Sequence, residues 1–152
     1  MTDCPYTVAE LLPHAPPMIL IGDIVGFSDT GCTAALGITA QSRFFEPGKG
    51  VPAYVGLEYM AQTCGLFAGL RARSQNLPVR IGYLLGTRDF HSEEGWFAPG
   101  TDLRVEVTEI MHDDPMGVFD CRICSAGRTI VTARLNVYQP PEQPDESSGG
   151  EP

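Results

Sequence analysis

The chain reads as an α+β protein in which a curved antiparallel sheet of about five to six strands wraps around one long central helix. Three observations predict this. A single long helical stretch is bracketed by short segments rich in β-branched and aromatic residues. The breaks between the later segments, FAPG at 97–100, HDDPMG at 112–117 and SAGR at 125–128, have turn chemistry. The length, 152 residues, suits one domain with one core. Two strands, one helix and four strands can bury the helix only if the sheet bends over it. Such a sheet leaves an edge and part of the helix uncovered, so pairing between two chains is the expected remedy.

The elements follow in order. Residues 8–12 predict a short helical turn, which the prolines at 13, 16 and 17 must end. Residues 18–27 are rich in Ile and Val and are closed by Ser28, Asp29, Thr30 and Gly31, a turn leading into a second strand over 32–39. Residues 43–51 carry Pro47, Gly48 and Gly50, a loop signal, and Pro52 suits the first position of a helix that runs to about 74. Positions 53, 57, 60, 61, 64, 68 and 71 fall on one helical face, all but the last apolar or small, whereas Tyr54, Glu58 and Gln62 form a separate i, i+4, i+8 stripe. Four strands are expected over 79–90, 103–111, 118–125 and 129–138. The domain therefore covers 1–138. Residues 139–152, QPPEQPDESSGGEP, lack apolar side chains and are expected to form a disordered acidic tail.

Composition excludes several classes. The net charge is −9, of which the tail contributes −4 and the rest −5, so a nucleic-acid partner is not expected. No cationic leader with an apolar run opens the sequence, and a cytoplasmic protein is the expectation. Residues 53–72 approach spanning length, but Glu58, Gln62, Arg71 and several glycines mark a helix wrapped in protein rather than lipid. Five cysteines, at 4, 32, 64, 121 and 124, argue against a disulfide framework. Cys121 and Cys124 have no second pair and would point to opposite faces of a strand, so no metal site is expected.

The segment PAYVGLEYMAQ, 52–62, sets one carboxylate among Leu57, Met60, Ala61 and Cys64. Burying a carboxyl group there is costly unless it is paired or used, and burial favours the neutral form that proton transfer requires. The plain alternative is a carboxylate satisfied by Tyr54, Gln62 or an arginine from a second chain.

Three separated motifs carry a resemblance. LPHAPPMILIGDIV, 12–25, resembles the opening LPHRYPFLLVDRVV of the 3-hydroxyacyl-[acyl carrier protein] dehydratases of the hotdog fold. PAYVGLEYMAQ is similar to their PGVLIIEAMAQ, with Pro52, Glu58, Met60, Ala61 and Gln62 identical in type and spacing, and FAPGTDL, 97–103, is similar to VLPGDQL. More narrowly, LLPHAPPM together with VGLEYMAQT resembles a divergent branch associated with aryl polyene clusters. The resemblance implies a hotdog dimer acting on thioesters.

One departure is as informative as the match. In the dehydratases a GHFPxxPxxPG segment follows a Phe-Phe pair and supplies the catalytic histidine, whereas here Phe44 and Phe45 run into the shorter EPGKGVPAY, without a histidine. Dehydration needs a base for the C2 proton, an acid for the departing hydroxyl and donors for the enolate oxygen. The resemblance implies that Glu58 is the acid. His14 is the candidate base, although in the family that histidine is not the catalytic one and a turn-holding role suits it slightly better. His91 and His112 read as loop residues.

Ala53, Tyr54 and Gly56, at the helix start, are expected to contact substrate through backbone N–H groups, and Gln62 to orient Glu58. No cofactor is expected beyond the phosphopantetheine arm of an acyl carrier protein or coenzyme A on which the substrate rides. Carrier proteins are acidic, so Arg71, Arg73 and Arg80 are the expected docking cations on an otherwise acidic protein. Three functions remain: a dehydratase, whole or as one half of a heterodimer with a histidine-bearing homologue; a non-catalytic acyl-binding partner; and a thioesterase in which Glu58 activates water.

Overall fold

The computed structural model describes residues 3–12, 19–79 and 82–140. Among the described residues, eight strands and two α-helices follow the chain as α1 (Val8–Leu11), β1 (Asp23–Phe27), β2 (Gly31–Gly37), β3 (Val51–Pro52), α2 (Gly56–Ser74), β4 (Tyr83–Ser92), β5 (Trp96–Phe97), β6 (Asp102–Asp113), β7 (Met116–Ser125) and β8 (Arg128–Tyr138). A 3-10 turn, Ala53–Val55, leads into α2.

Six strands form one antiparallel sheet in the order β1-β2-β6-β7-β8-β4, as expected from the turn-rich second half of the sequence. Alternation fixes its faces. Leu103, Val105 and Val107 on β6, Phe119, Cys121 and Ile123 on β7, and Val131, Ala133 and Leu135 on β8 are all buried towards α2. On the opposite face the register sets Glu106 beside Arg122 and Asp120 beside Arg134, and each pair closes an ion pair at 2.8 Å. Cys121 and Cys124 do point apart: Cys121 is buried and Cys124 is half-buried, its Sγ 3.4 Å from Glu106 Oε2. Among the described residues no group of three or more histidines, cysteines and acids could hold a metal ion.

Helix α1 is fixed by a capping box, in which Thr7 Oγ1 accepts the Glu10 N–H and Glu10 Oε1 accepts the Thr7 N–H. It sets Val8 and Leu11 into the core beside α2.

Four expectations need correction. The first strand begins at Asp23 rather than 18, with Gly22 N–H donating to Ala35 O just before it. The strand expected from 79 begins at Tyr83. A two-stranded pair, β3 with β5, was not anticipated, since each strand is two residues long. The buried face of α2 is also rotated from the one expected. Tyr59, Met60, Thr63, Cys64, Leu66, Phe67 and Leu70 are buried, while Leu57, Ala61 and Ala68 are only half-buried. The helix is apolar or small on nearly every side, so its spacing marks a helix without fixing which side meets the sheet. No helix among the described residues is long and apolar enough to cross a membrane. Gln139 N–H donates to Pro115 O, and positions 141–152, most of the expected tail, lie outside the described residues.

Candidate active site

The start of α2 is held by the small β3–β5 pair. Ala53 N–H donates to Gly95 O at 3.0 Å, and Gly56 lies so close to the core that a Cβ there would come within 2.9 Å of Ile123 Cδ1 and 3.2 Å of Phe97 Cζ. One helical turn later Tyr59 packs its ring 5.8 Å from that of Phe97. Burial pushes the Tyr59 hydroxyl up to about 12, so it remains protonated. These contacts fix the phase of the helix and turn Glu58 away from the sheet.

Glu58 lines an open groove of about 440 Å³ with Leu20, Arg43, Phe44, Tyr54, Val55 and Leu57. Gln62 lies one turn on, only 3% exposed. Its Nε2 donates to Glu58 Oε1 at 3.3 Å, and its Oε1 accepts the Leu20 N–H at 2.8 Å. The expected orienting role of Gln62 therefore has a geometric basis. The backbone bond fixes which end of the amide carries the oxygen and aims the NH₂ at the carboxylate.

Two expectations are revised here. Glu58 is exposed in the single chain rather than buried among its apolar neighbours, because of those only Met60 and Cys64 face the core. The helix-start amides are also fewer than expected: Ala53 N–H is bonded to Gly95, and Gly56 N–H to Ala53 O and Tyr54 O. At most Tyr54 and Val55 remain to meet a carbonyl, and the Tyr54 side chain stands 68% exposed on the groove wall.

Of the expected docking cations, Arg71 and Arg73 are each engaged with groups of this chain. Arg71 forms an ion pair with Glu109, stacks 4.7 Å over the Phe67 ring and lies 3.2 Å from His112 Nδ1. Arg73 donates to Glu10 O at 3.2 Å and sits over the Tyr6 ring. Both lie towards the far end of α2, and thirteen residues of helix put Arg71 roughly 20 Å along the axis from Glu58. His14 and Arg80 lie outside the described residues. His91, on β4, and His112 do not line the groove.

The segment between Phe45 and Val51, which stands in place of the histidine-bearing segment of the dehydratases it resembles, is a tight turn. Glu46 N–H donates to Gly50 O at 2.7 Å and Gly50 N–H donates back to Glu46 O at 3.0 Å. Gly50 has φ +110°, and a Cβ there would fall 2.0 Å from Phe97 O, so no other residue fits. Sequence reading missed Leu20, Arg43, Phe44 and Leu57 as groove residues; the Phe-Phe pair was visible as a motif, but which ring faced outward was not.

A larger depression of about 510 Å³ lies on the outer face of the sheet over the Glu106–Arg122 and Asp120–Arg134 pairs. Glu106 and Asp120 are taken up by their arginines, and the lining is mainly polar and charged, which does not suit an acyl chain.

A family model of ApeP-like proteins, described as ApeP dehydratase, matches residues 6–148. The 3-hydroxyacyl-[acyl-carrier-protein] dehydratase FabZ of Anaeromyxobacter sp. (strain K) is 33% identical over 105 residues, covering 66% of this chain and 67% of that protein. A chain of the dehydratase heterocomplex ApeI:P from Xenorhabdus doucetiae superposes with a TM-score of 0.85 at 28% identity, covering 90% of this chain and 93% of that one. The PaaI protein of E. coli, from the phenylacetic acid degradation operon, shares the hotdog fold at a TM-score of 0.60 and 14% identity, over 76% and 81% of the two chains.

Proposed function

Because the chain belongs to the ApeP-like dehydratase family, we propose that it carries the acid half of a site that dehydrates 3-hydroxyacyl thioesters borne by acyl carrier protein. The observation that carries this reading is the Leu20–Gln62–Glu58 chain of hydrogen bonds, which aims one carboxylate into a largely apolar groove with no histidine among the described residues that line it.

In this reading the acyl chain lies along Leu20, Phe44, Val55 and Leu57 with its C3 hydroxyl at Glu58. A histidine from a second hotdog chain removes the C2 proton. The C3–O bond then breaks, and Glu58 delivers the proton with which the hydroxyl leaves as water, giving the trans-2-enoyl thioester. Gln62 holds Glu58 so that this proton points into the groove. The amides of Tyr54 and Val55 meet the thioester oxygen as it gains charge. Cover from the second chain supplies the desolvation that Glu58 lacks in the single chain.

The second chain has a place to dock. Strand β4 is one edge of the sheet, is bulged near Gly86, and exposes Tyr83, Leu84, Leu85 and Phe90. An edge strand with exposed apolar side chains is a template for pairing. A histidine-bearing homologue suits this edge better than a second copy, since two copies would provide two acids and no base from the turn at 46–50.

The test is turnover of a 3-hydroxyacyl carrier protein by the purified chain, alone and mixed with a histidine-bearing hotdog chain. Slow dehydration alone and restored dehydration in the mixture are expected. Robust dehydration by the protein alone, abolished by Glu58→Gln and untouched by His14→Ala, would overturn the shared site. A purely acyl-binding role would leave the mixed activity unchanged in Glu58→Gln, and thioester hydrolysis would release free carrier thiol in the same assay.

A further inference from the structure

Phe44 is built against the interests of the fold. It is a non-glycine residue at φ +68°, in the left-handed region where an L side chain crowds its own backbone, and its ring is 54% exposed. The turn around it is firmly specified: Ser42 Oγ accepts the Thr39 N–H at 2.9 Å, Ser42 N–H donates to Thr39 O at 2.9 Å, and Phe45 N–H donates to Ser42 O at 3.1 Å. The next residue, Phe45, packs against the core, so two consecutive phenylalanines point to different destinations. Glycine or asparagine would adopt this backbone with less strain, and a polar side chain would suit the exposure better.

Among the described residues, contacts within the chain leave both the strained backbone and the exposed face of the ring unexplained; a cation covers only its flank. What the conformation accomplishes is to place an aromatic face on the groove that holds Glu58, with the Arg43 guanidinium 5.5 Å from the ring centroid on its flank. Strained residues persist where the conformation serves a site. We propose that Phe44 is a specificity-determining residue of the acyl groove: its ring is the wall against which the part of the acyl chain beyond C4 lies, so it sets the preference for longer chains. This rests on the reading of the groove as an acyl thioester site.

The experiment uses the full chain in complex with its histidine-bearing partner and compares four-carbon with eight-carbon 3-hydroxyacyl carrier proteins. Phe44→Asn should raise KM for the eight-carbon substrate about tenfold and for the four-carbon substrate less than about twofold, with kcat little changed, because only the longer chain reaches the ring. Phe44→Leu, which keeps an apolar wall, should recover most of the loss. The unfolding midpoint of Phe44→Asn should equal or exceed that of the parent. Equal effects on both chain lengths would overturn the proposal, as would dissociation of the complex, which would make Phe44 an interface residue. Failure of the wider reading looks different: Glu58→Gln would then leave turnover intact for both substrates, whatever stands at position 44.

Discussion

Gln62 joins Glu58 to the backbone of a segment 42 residues earlier in the chain: its NH₂ lies 3.3 Å from the carboxylate, and its carbonyl oxygen takes the Leu20 N–H at 2.8 Å. A buried amide with one end on a backbone group and the other on an exposed acid acts as a bracket. Gln62→Leu removes both bonds and leaves the Leu20 N–H without this acceptor, so the chain should lose about 1–3 kcal/mol of stability. In complex, turnover should fall by roughly tenfold with KM nearly unchanged, since an orienting residue acts on the transition state more than on binding. Loss of stability with full kcat would assign Gln62 to the fold alone.

The β4 edge provides a second prediction. Leu85 stands 58% exposed beside the bulge at Gly86. Leu85→Lys should leave the single chain folded while weakening pairing with the histidine-bearing chain by at least about tenfold, roughly 1.4 kcal/mol. Size-exclusion chromatography at several concentrations would detect the loss, and unaltered assembly would move the interface elsewhere.

Arg71 illustrates a cation whose part in the fold outweighs its availability for docking. Its partner Glu109 has a side chain only 10% exposed. Removing the guanidinium leaves that carboxylate, among the described residues, with only His112 Nδ1, 3.3 Å away, so Arg71→Ala should cost about 1–3 kcal/mol in chemical denaturation. If the same variant left stability untouched but weakened carrier-protein binding, the docking role expected from sequence would be restored.

The thiols should divide into two groups. Cys32, Cys64 and Cys121 are buried, while Cys4 and Cys124 are partly exposed. A thiol reagent at pH 8 should label Cys4 and Cys124 quickly and the other three only on unfolding. Burial also pushes the Cys32 thiol up to about 12, from an ordinary value of 9.0, and the Tyr59 hydroxyl to about 12 from 10.0. Both groups hold their protons more tightly when folded than when unfolded. The stability they contribute is therefore complete below about pH 9 and is lost as the pH climbs towards 12. A urea midpoint that stays flat between pH 9 and 11 would contradict this.

Much of the fold was legible because alternation is a two-fold signal that tolerates little error. Leu103, Val105 and Val107 on one strand and Phe119, Cys121 and Ile123 on the next leave a single choice of inner face. The phase of α2 was not legible. Leu57 and Tyr59 are both apolar to a sequence reader, and only the docking of Tyr59 on Phe97, 38 residues away, decides that one is buried and the other half-exposed. That rotation exposes Glu58. Gln62 was readable as a neighbour by its i+4 spacing, whereas its anchor at Leu20 and the Arg71–Glu109 pair depend on contacts across 42 and 38 residues that local patterning does not encode.

The turn at 46–50 bears on how reversible the missing histidine is. Its two mutual backbone bonds leave no slack, and Gly50 sits against the carbonyl of Phe97, on the same small β3–β5 pair that fixes the entry to α2. Histidine at position 50 would collide with that carbonyl, and a histidine elsewhere in so short a turn would still lack the longer path of the dehydratase segment. Restoring a base would require an insertion together with a relaxed glycine, two changes of which either alone loosens the start of α2. An attempt to engineer a histidine into this turn should therefore begin by replacing the whole segment rather than a single residue.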